Sequence, residues 1–391
     1  MTSDSIPSIG FVSTYPPTVC GIASYTASLA KTIGETNPGS PIGVVRLGDH
    51  PSDDDPPEVV MHHRPGDRSS QRTAAAVLNG YDSVSIQHEF GIWGRRDGVA
   101  VLDFMSRLSV PSAVTLHTVL REPTQSQRTI TETLASLTER LVVMSETASI
   151  RLVDLYGVDP DRISVIPHGA DPGFAGPSLV KDSAPLILTW GLIGPGKGLE
   201  WAIRALEDIA DMRPLPSYLI AGATHPEVKR TSGESYRESL TTLTRSLGLD
   251  SMVRFDDRYL DRQSLARLVR SADVVVLPYE SADQVTSGVL VEAIAASRPV
   301  IATEFAHAVE LLSDGAGVVV PFGEPHVLGA KLRQVLSDRS TRDYMTSRSR
   351  KLATGRYWPT IGVRFTEMMS GIATVSESYA SVGPGRQVAV G

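Results

Sequence analysis

The chain has 391 residues, 41% hydrophobic and 21% charged. That length exceeds one ordinary domain, and those fractions exclude disordered and fibrous classes. A formal net charge of -7 lacks the basic excess of a general nucleic-acid binder, so no nucleic-acid partner is expected. The single cysteine, Cys20, excludes an intramolecular disulfide and a Cys-rich zinc site. The opening Met-Thr-Ser-Asp-Ser has no basic, apolar leader pattern, and no apolar run reaches the roughly 18 residues of a membrane helix. A cytoplasmic protein with no integral membrane segment is expected, with peripheral membrane contact left open.

In chain order, short apolar runs alternate with helical stretches. Strands are predicted at "IGFVST" (9–14), "IGVVRL" (42–47), "SVSIQH" (83–88), "SAVTLH" (112–117), "RLVVMS" (140–145) and "RISVIPHG" (162–169). Helices are predicted between them, at 21–36, 69–79 and 125–138 among others. A Gly/Pro/Ser-rich segment at 171–185 reads as a linker. The pattern restarts at "LILTWG" (186–191) and continues through "SYLIAG" (217–222), "MVRFDD" (252–257), "DVVVLPYE" (273–280), "PVIATE" (299–304) and "GVVVP" (317–321). Strands spaced by helices predict parallel sheets, here in two α/β layers. Ile361, Phe365 and Met368 have helical spacing, and the Ser/Gly-rich tail after Gly371 is expected to be mobile. Residues 1–178 hold 20 acids and 13 Lys or Arg, whereas residues 179–391 hold 24 of each, so the first half carries the whole charge excess.

Four segments carry candidate chemistry at strand ends, where open α/β sheets bind ligands. In "WGLIGPGKGLEWAI" (190–203), Gly194, Gly196 and Gly198 open a helix beside Lys197, which suits a phosphate or diphosphate. A nucleotide P-loop would need Ser or Thr where Gly198 stands; a plain tight turn with a solvated lysine is the competing reading. In "YESADQVTSGVLVEAI" (279–294), Thr286 or Ser287 is a fitting N-cap, Gly288 leaves the amides open, and Glu292 needs a partner such as a ribose diol or an arginine. His88-Glu89 and His117-Thr118 end neighbouring strands and are expected to point at one cleft. Gly21 opens the first helix, either to a ligand or as a turn residue only; Cys20 beside it reads as a bystander. Asp53-Asp54-Asp55 reads as a solvated loop rather than a metal site, and no metal ligands are expected.

Taken together, these strings resemble the retaining nucleotide-sugar glycosyltransferases of the large family 4. The matches are Gly21, His117, "VIPHGAD" (165–171), Gly191 with Lys197-Gly198, Glu292, "RPVIAT" (298–303) and "GVVVPFGEP" (317–325), in family order over residues 9 to 370. The resemblance implies the GT-B fold: two facing Rossmann-like domains, with a C-terminal helix crossing back to the first. The corresponding boundaries are 1–178 for the acceptor side, 179–356 for the donor side, 357–371 for the crossing helix and 372–391 for a flexible tail. It implies a nucleoside-diphosphate sugar as co-substrate, no other cofactor, and a saccharide or small hydroxyl acceptor. By the same resemblance Lys197, His117 and Gln284 are catalytic, and Gly21, Gly196, Gly198, Ser287, Gly288, Val289 and Glu292 bind the donor. Glu292 would hold ribose, and His117 would line the donor-sugar site. Two positions depart from the family: Leu192 replaces the usual Arg, and Gln284 replaces the first Glu of a Glu-x7-Glu pair. Gln284 can hydrogen-bond but cannot be an anionic nucleophile. Amides of 194–198 and 287–289 are the expected compensation for Leu192. The acidic first half favours a soluble or neutral acceptor over anionic lipid. Other readings are a sugar-nucleotide epimerase or phosphorylase, a phosphate-binding NTPase, and a non-catalytic nucleotide-sugar-binding protein.

Overall fold

A computed structural model describes residues 7–94, 96–179 and 184–381, with side chains described as far as residue 374. The chain forms two compact units. One comprises residues up to Pro167 and from Pro359 on; the other is His168–Trp358.

The first unit holds a seven-stranded sheet of β1 (Ile9–Ser13), β2 (Ile42–Leu47), β3 (Val59–His63), β4 (Ser83–His88), β5 (Ser112–Leu116), β6 (Arg140–Val143) and β7 (Ile163–Val165). Every pairing is parallel, in the order β3-β2-β1-β4-β5-β6-β7. β1, β4 and β5 are buried along their whole length, as a sheet covered by helices on both faces requires. β3 has no counterpart among the sequence-predicted strands. It is a half-exposed edge strand, and its register against β2 shifts between Val44 and Val45.

The second unit repeats the plan with six parallel strands. They are β8 (Leu186–Trp190), β9 (Ser217–Ala221), β10 (Val253–Asp256), β11 (Val274–Leu277), β12 (Val300–Thr303) and β13 (Gly317–Val320), ordered β10-β9-β8-β11-β12-β13. Residues alternating along the strands feed two cores: Leu188, Val275 and Leu277 belong to one cluster, and Ile187, Val274 and Val276 to another. Both units are Rossmann-like α/β domains.

Residues 168–178 do not act as a spacer. Phe174 is buried in the core of the second unit, Ala170 pairs with Tyr357, and Ser178 Oγ accepts a hydrogen bond from Arg298 (2.9 Å). The division therefore falls at Pro167/His168, ahead of the sequence cut at 178, because apolar burial outweighs the Gly/Pro content of this stretch. The last helix, Trp358–Ser381, belongs to the first unit from Pro359 on. Its buried stripe is Ile361, Phe365, Met369 and Ile372, with Met369 rather than Met368 facing inward. Phe365 stacks on Phe11 (6.3 Å between centroids), and Asn37 Nδ2 donates to Thr366 Oγ1 (3.2 Å). This helix continues past 371, the predicted start of the tail; residues 382–391 lie outside the described residues. Among the described residues no helix is long and apolar enough to cross a membrane.

Candidate functional site

Strand order locates a ligand site in each unit. In the first sheet the chain runs outward from β1 to β3 and then returns beside β1 as β4. In the second it runs from β8 to β10 and returns beside β8 as β11. At such a reversal the flanking connections leave in opposite directions and open a crevice beyond the carboxyl ends of the strands.

The crevice of the second unit lies between the ends of β8 and β11, and the glycine-rich loop crosses it. Gly198 has φ +61, and a Cβ there would stand 1.9 Å from the Pro278 carbonyl oxygen, so only glycine fits. Two residues earlier, the carbonyl of Gly196 (φ +83) accepts a hydrogen bond from the Glu280 amide at 3.1 Å. The loop is thereby hooked onto the residues after β11. Lys197, half-buried, places its ammonium 4.3 Å from the centroid of the Tyr279 ring. Tyr279 is itself held, its ring against Phe305 at 5.1 Å and its carbonyl accepting from Thr303 Oγ1 at 2.5 Å. A cation over an aromatic face is attracted by the ring quadrupole. Lys197 thus has a neutral aromatic neighbour. Its own amide turns back to the Gly194 carbonyl (3.3 Å).

Helix Gly288–Ala295 begins beside this loop, and a Cβ on Gly191 would lie 3.7 Å from Val289 Cγ2. Ser287 is its N-cap, with Oγ accepting from the Leu290 amide at 3.2 Å. The Ser287 amide is not open to a ligand: it donates to Nδ1 of the buried His307 at 2.8 Å. The expected amide set 287–289 is therefore reduced to Gly288 and Val289, which have no hydrogen-bond partner among the described residues. Gly288 is also required by a neighbour rather than by an incoming group. A Cβ there would lie 2.9 Å from both Cε1 and Nε2 of His168. His168 Nδ1–H donates to the Gly169 carbonyl (2.7 Å), and burial lowers the His168 pKa to about 4, so the ring is neutral near pH 7.

Gln284 lies half-buried in the preceding loop. Its Nε2 donates to the Thr286 carbonyl (3.3 Å), and its own carbonyl accepts from the His307 amide (3.1 Å). His307 therefore grips the 284–287 loop at both ends. Glu292, one turn into the helix, accepts from Trp190 Nε1 at 3.0 Å, so its direct protein partner is an indole rather than an arginine. Burial pushes the Glu292 carboxyl up to about 7, against the Trp190 hydrogen bond and the more distant charge of Arg262. An anion could sit against Lys197 and the two open amides, with hydroxyl groups on the carboxylate.

In the first unit, helix Gly21–Thr36 starts beyond β1. Cys20 is its N-cap, with Sγ accepting from the Ala23 amide at 3.3 Å. A Cβ on Gly21 would touch nothing within 4 Å among the described residues, so none of them sterically demands glycine there. The half-buried His117 donates from Nε2 to Gln87 Oε1 (2.9 Å), and its ring meets Tyr25 edge-on at 5.0 Å. His88 is not its companion. Strand alternation turns His88 to the other face, where it is buried with neither ring nitrogen hydrogen-bonded among the described residues, and burial lowers its pKa to about 3. The residue that shares the site of His117 is Gln87. Beyond them, Glu89 Oε2 accepts from Thr118 Oγ1 at 2.5 Å. Asp55 is spent on Arg46 (2.8 Å) and His62 (2.6 Å) rather than solvated.

Tyr279, His307 and Gln87 were not singled out from the sequence. Tyr279 lies two residues past the end of β11, and that position is its only signal. His307 has none, since it acts from a helix after the next strand.

The comparisons with known proteins agree with this architecture. Residues 45–174 match the model of Glycosyltransferase Family 4, and residues 175–352 match that of Glycosyl transferases group 1. A D-inositol 3-phosphate glycosyltransferase of Kineococcus radiotolerans is 30% identical over 287 residues, covering 64% of this chain and 64% of that protein. The chain thus matches less than two thirds of that relative. Among solved structures, the sucrose-phosphate synthase of Thermosynechococcus elongatus superposes with a TM-score of 0.75 at 16% identity, over 96% of this chain and 100% of that one. HepE of Anabaena, in complex with UDP, gives 0.72 at 17% identity, over 93% and 100%. At such identities these two likenesses speak for the fold. With a Family 4 domain followed by a group 1 domain, on two Rossmann-like sheets, the chain belongs to the glycosyltransferases of the GT-B type.

Proposed function

We propose that the chain is a retaining hexosyltransferase that moves a sugar from a nucleoside-diphosphate donor of the UDP-glucose or GDP-mannose type to a hydroxyl acceptor, in the cytoplasm and without a metal ion. The observation that carries this reading is the polar set at the β8/β11 crevice. Lys197 over Tyr279, the open amides of Gly288 and Val289, and the half-buried Glu292 lie on the two connections that flank it. That set suits a diphosphate joined to a ribose. HepE of Anabaena, similar in fold, is described with UDP, and the relative from Kineococcus is named for an inositol phosphate, which bears hydroxyl groups.

In the proposed reaction the bond between sugar C1 and the diphosphate oxygen breaks, and its electron pair leaves with the diphosphate. Lys197 and the amides at the helix start meet the growing negative charge; each such preorganised group is worth roughly 10²–10³ in rate. Glu292 accepts from ribose hydroxyls, and Gln284 Oε1 accepts from a donor-sugar hydroxyl. The acceptor oxygen bonds to C1 from the face the diphosphate left, which retains configuration, and its proton passes to a phosphate oxygen.

The test is turnover of UDP-glucose and GDP-mannose by the full chain with an excess of EDTA, following nucleotide release and the anomeric configuration of the product. Release with retained configuration is expected. Loss of activity restored by magnesium or manganese would overturn the metal-free reading, and ATP hydrolysis without sugar turnover would overturn the whole. A nucleotide-sugar-binding protein without turnover is the second reading. It is favoured by Leu192 and by the engagement of the Gln284 amide with its own loop.

A further inference from the structure

The crevice of the first unit opens beyond the ends of β1 and β4, and the residue that follows β4 is Glu89. Its two carboxylate oxygens are tied locally. Oε2 accepts from Thr118 Oγ1 at 2.5 Å, and Oε1 accepts from the Phe90 amide at 2.9 Å. The rung before it is tied in the same way, with the His117 amide donating to the His88 carbonyl (3.1 Å) and the His117 ring to Gln87. These bonds fix Glu89 and Thr118 side by side over the ends of β4 and β5.

No Lys, Arg or His among the described residues pairs with Glu89, and its carboxyl is shifted upward by burial, opposed only by its bonds to Thr118 and Phe90. A half-buried carboxylate without a cation is costly to maintain. Accepting one hydroxyl from Thr118 does not require a charge, because a glutamine oxygen would serve. Each carboxylate oxygen still has a second lone pair for an incoming donor. The residue is therefore placed to receive hydroxyl groups and to repel anions.

We propose that Glu89 determines acceptor specificity: it accepts a hydrogen bond from a hydroxyl of a neutral polyhydroxylated acceptor and rejects a phosphorylated one. This rests on the transferase reading above. It separates the chain from the relative from Kineococcus, whose name specifies an inositol phosphate. It also gives a local residue to the acidity of the first half of the sequence.

The experiment uses the full chain with whichever nucleotide sugar it turns over, and acceptors in matched pairs: myo-inositol with inositol 3-phosphate, and mannose and glucose with their 6-phosphates. Initial rates are expected to favour the neutral member of a pair by at least tenfold in kcat/KM. Glu89→Gln keeps an oxygen for Thr118 and is expected to narrow that ratio at least tenfold, by raising KM for the neutral acceptor and lowering it for the phosphorylated one. A purely structural Glu89 would leave the ratio unmoved. Equal or reversed preference in the wild type overturns the proposal, as does transfer to none of the neutral acceptors while the donor is consumed. An unchanged ratio in a folded Glu89→Gln variant overturns it as well. If the variant does not fold, the wild-type ratios alone decide. Absence of any donor turnover instead refutes the transferase reading itself.

Discussion

Replacing Lys197 by Met removes the ammonium and keeps most of the stem. The structure predicts two effects of different size. The first is on stability: the ammonium lies 4.3 Å from the Tyr279 centroid, and a cation–π contact at such a half-exposed site is worth about 0.5–1 kcal/mol. For a unit of this size that lowers Tm by only about 1–4 °C. The second is on catalysis. A unit charge about 4 Å from a developing phosphate charge, at an effective dielectric of about 20, contributes about 4 kcal/mol. Measured losses for one preorganised group are about 2.7–4 kcal/mol, a fall of roughly 10²–10³ in rate. The assay is nucleotide release at subsaturating donor, paired with a thermal scan of the same preparation. Tyr279→Phe keeps the ring and should stay close to wild type, whereas Tyr279→Leu should reproduce part of the lysine defect by freeing the ammonium. If Lys197→Met transfers sugar within about threefold of wild type, the charge has no such part and the reasoning fails. If activity falls together with Tm by far more than the contact explains, lost folding rather than lost charge is the cause.

Two further outcomes are expected. Because burial raises the Glu292 carboxyl to about 7, the folded chain holds this proton more tightly than the unfolded chain does between pH 4.5 and about 7, so this group's contribution to stability falls as pH rises through that window. The ionised carboxylate accepts from Trp190 and a donor hydroxyl more strongly than the acid does, so donor kcat/KM should rise through pH 7 and level off above it; a Glu292→Gln variant with the same profile would exclude Glu292 as its source. His307→Leu leaves the buried Ser287 amide without its acceptor, a cost of about 1–3 kcal/mol, and should raise donor KM by loosening the 284–287 loop. His307→Asn, which restores an acceptor near the Nδ1 position, should recover KM; an equal defect in both variants would deny the positioning role.

What could be read in advance follows from how local each cause is. Helix Gly21–Thr36 was legible over its full length because its buried face repeats at helical spacing. Gly198 was legible because a strand-to-helix turn leaves few residues able to take its backbone conformation. β3 was not, since its "VVMHH" is half-exposed and lies close to the prolines at 56–57, with neither a clean alternation nor an apolar run. The linker reading at 171–185 failed from 171 to 178 because composition does not record that Phe174 finds a core. Among the site residues, Lys197 and Glu292 stand in strings with a recognisable pattern. Tyr279 and His307 act through contacts to Lys197 and Ser287 that exist only once β11, β12 and the helix after it are assembled. His88 and His117 looked equivalent as strand ends, and only the alternation of faces separates them.

The helix that begins at Trp358 imposes an order on synthesis. The first unit cannot be completed when its sheet has emerged from the ribosome, because Ile361, Phe365, Met369 and Ile372 are made roughly 200 residues after Pro167. At about 5–20 residues per second, that is a delay of roughly 10–40 s. Throughout it, Phe11 and the face of helix Gly21–Thr36 that carries Thr32 lack their cover. The second unit, His168–Trp358, is contiguous in sequence. The half that begins first therefore finishes last, and a nascent chain stalled before Trp358 would present an apolar seam that the finished protein hides.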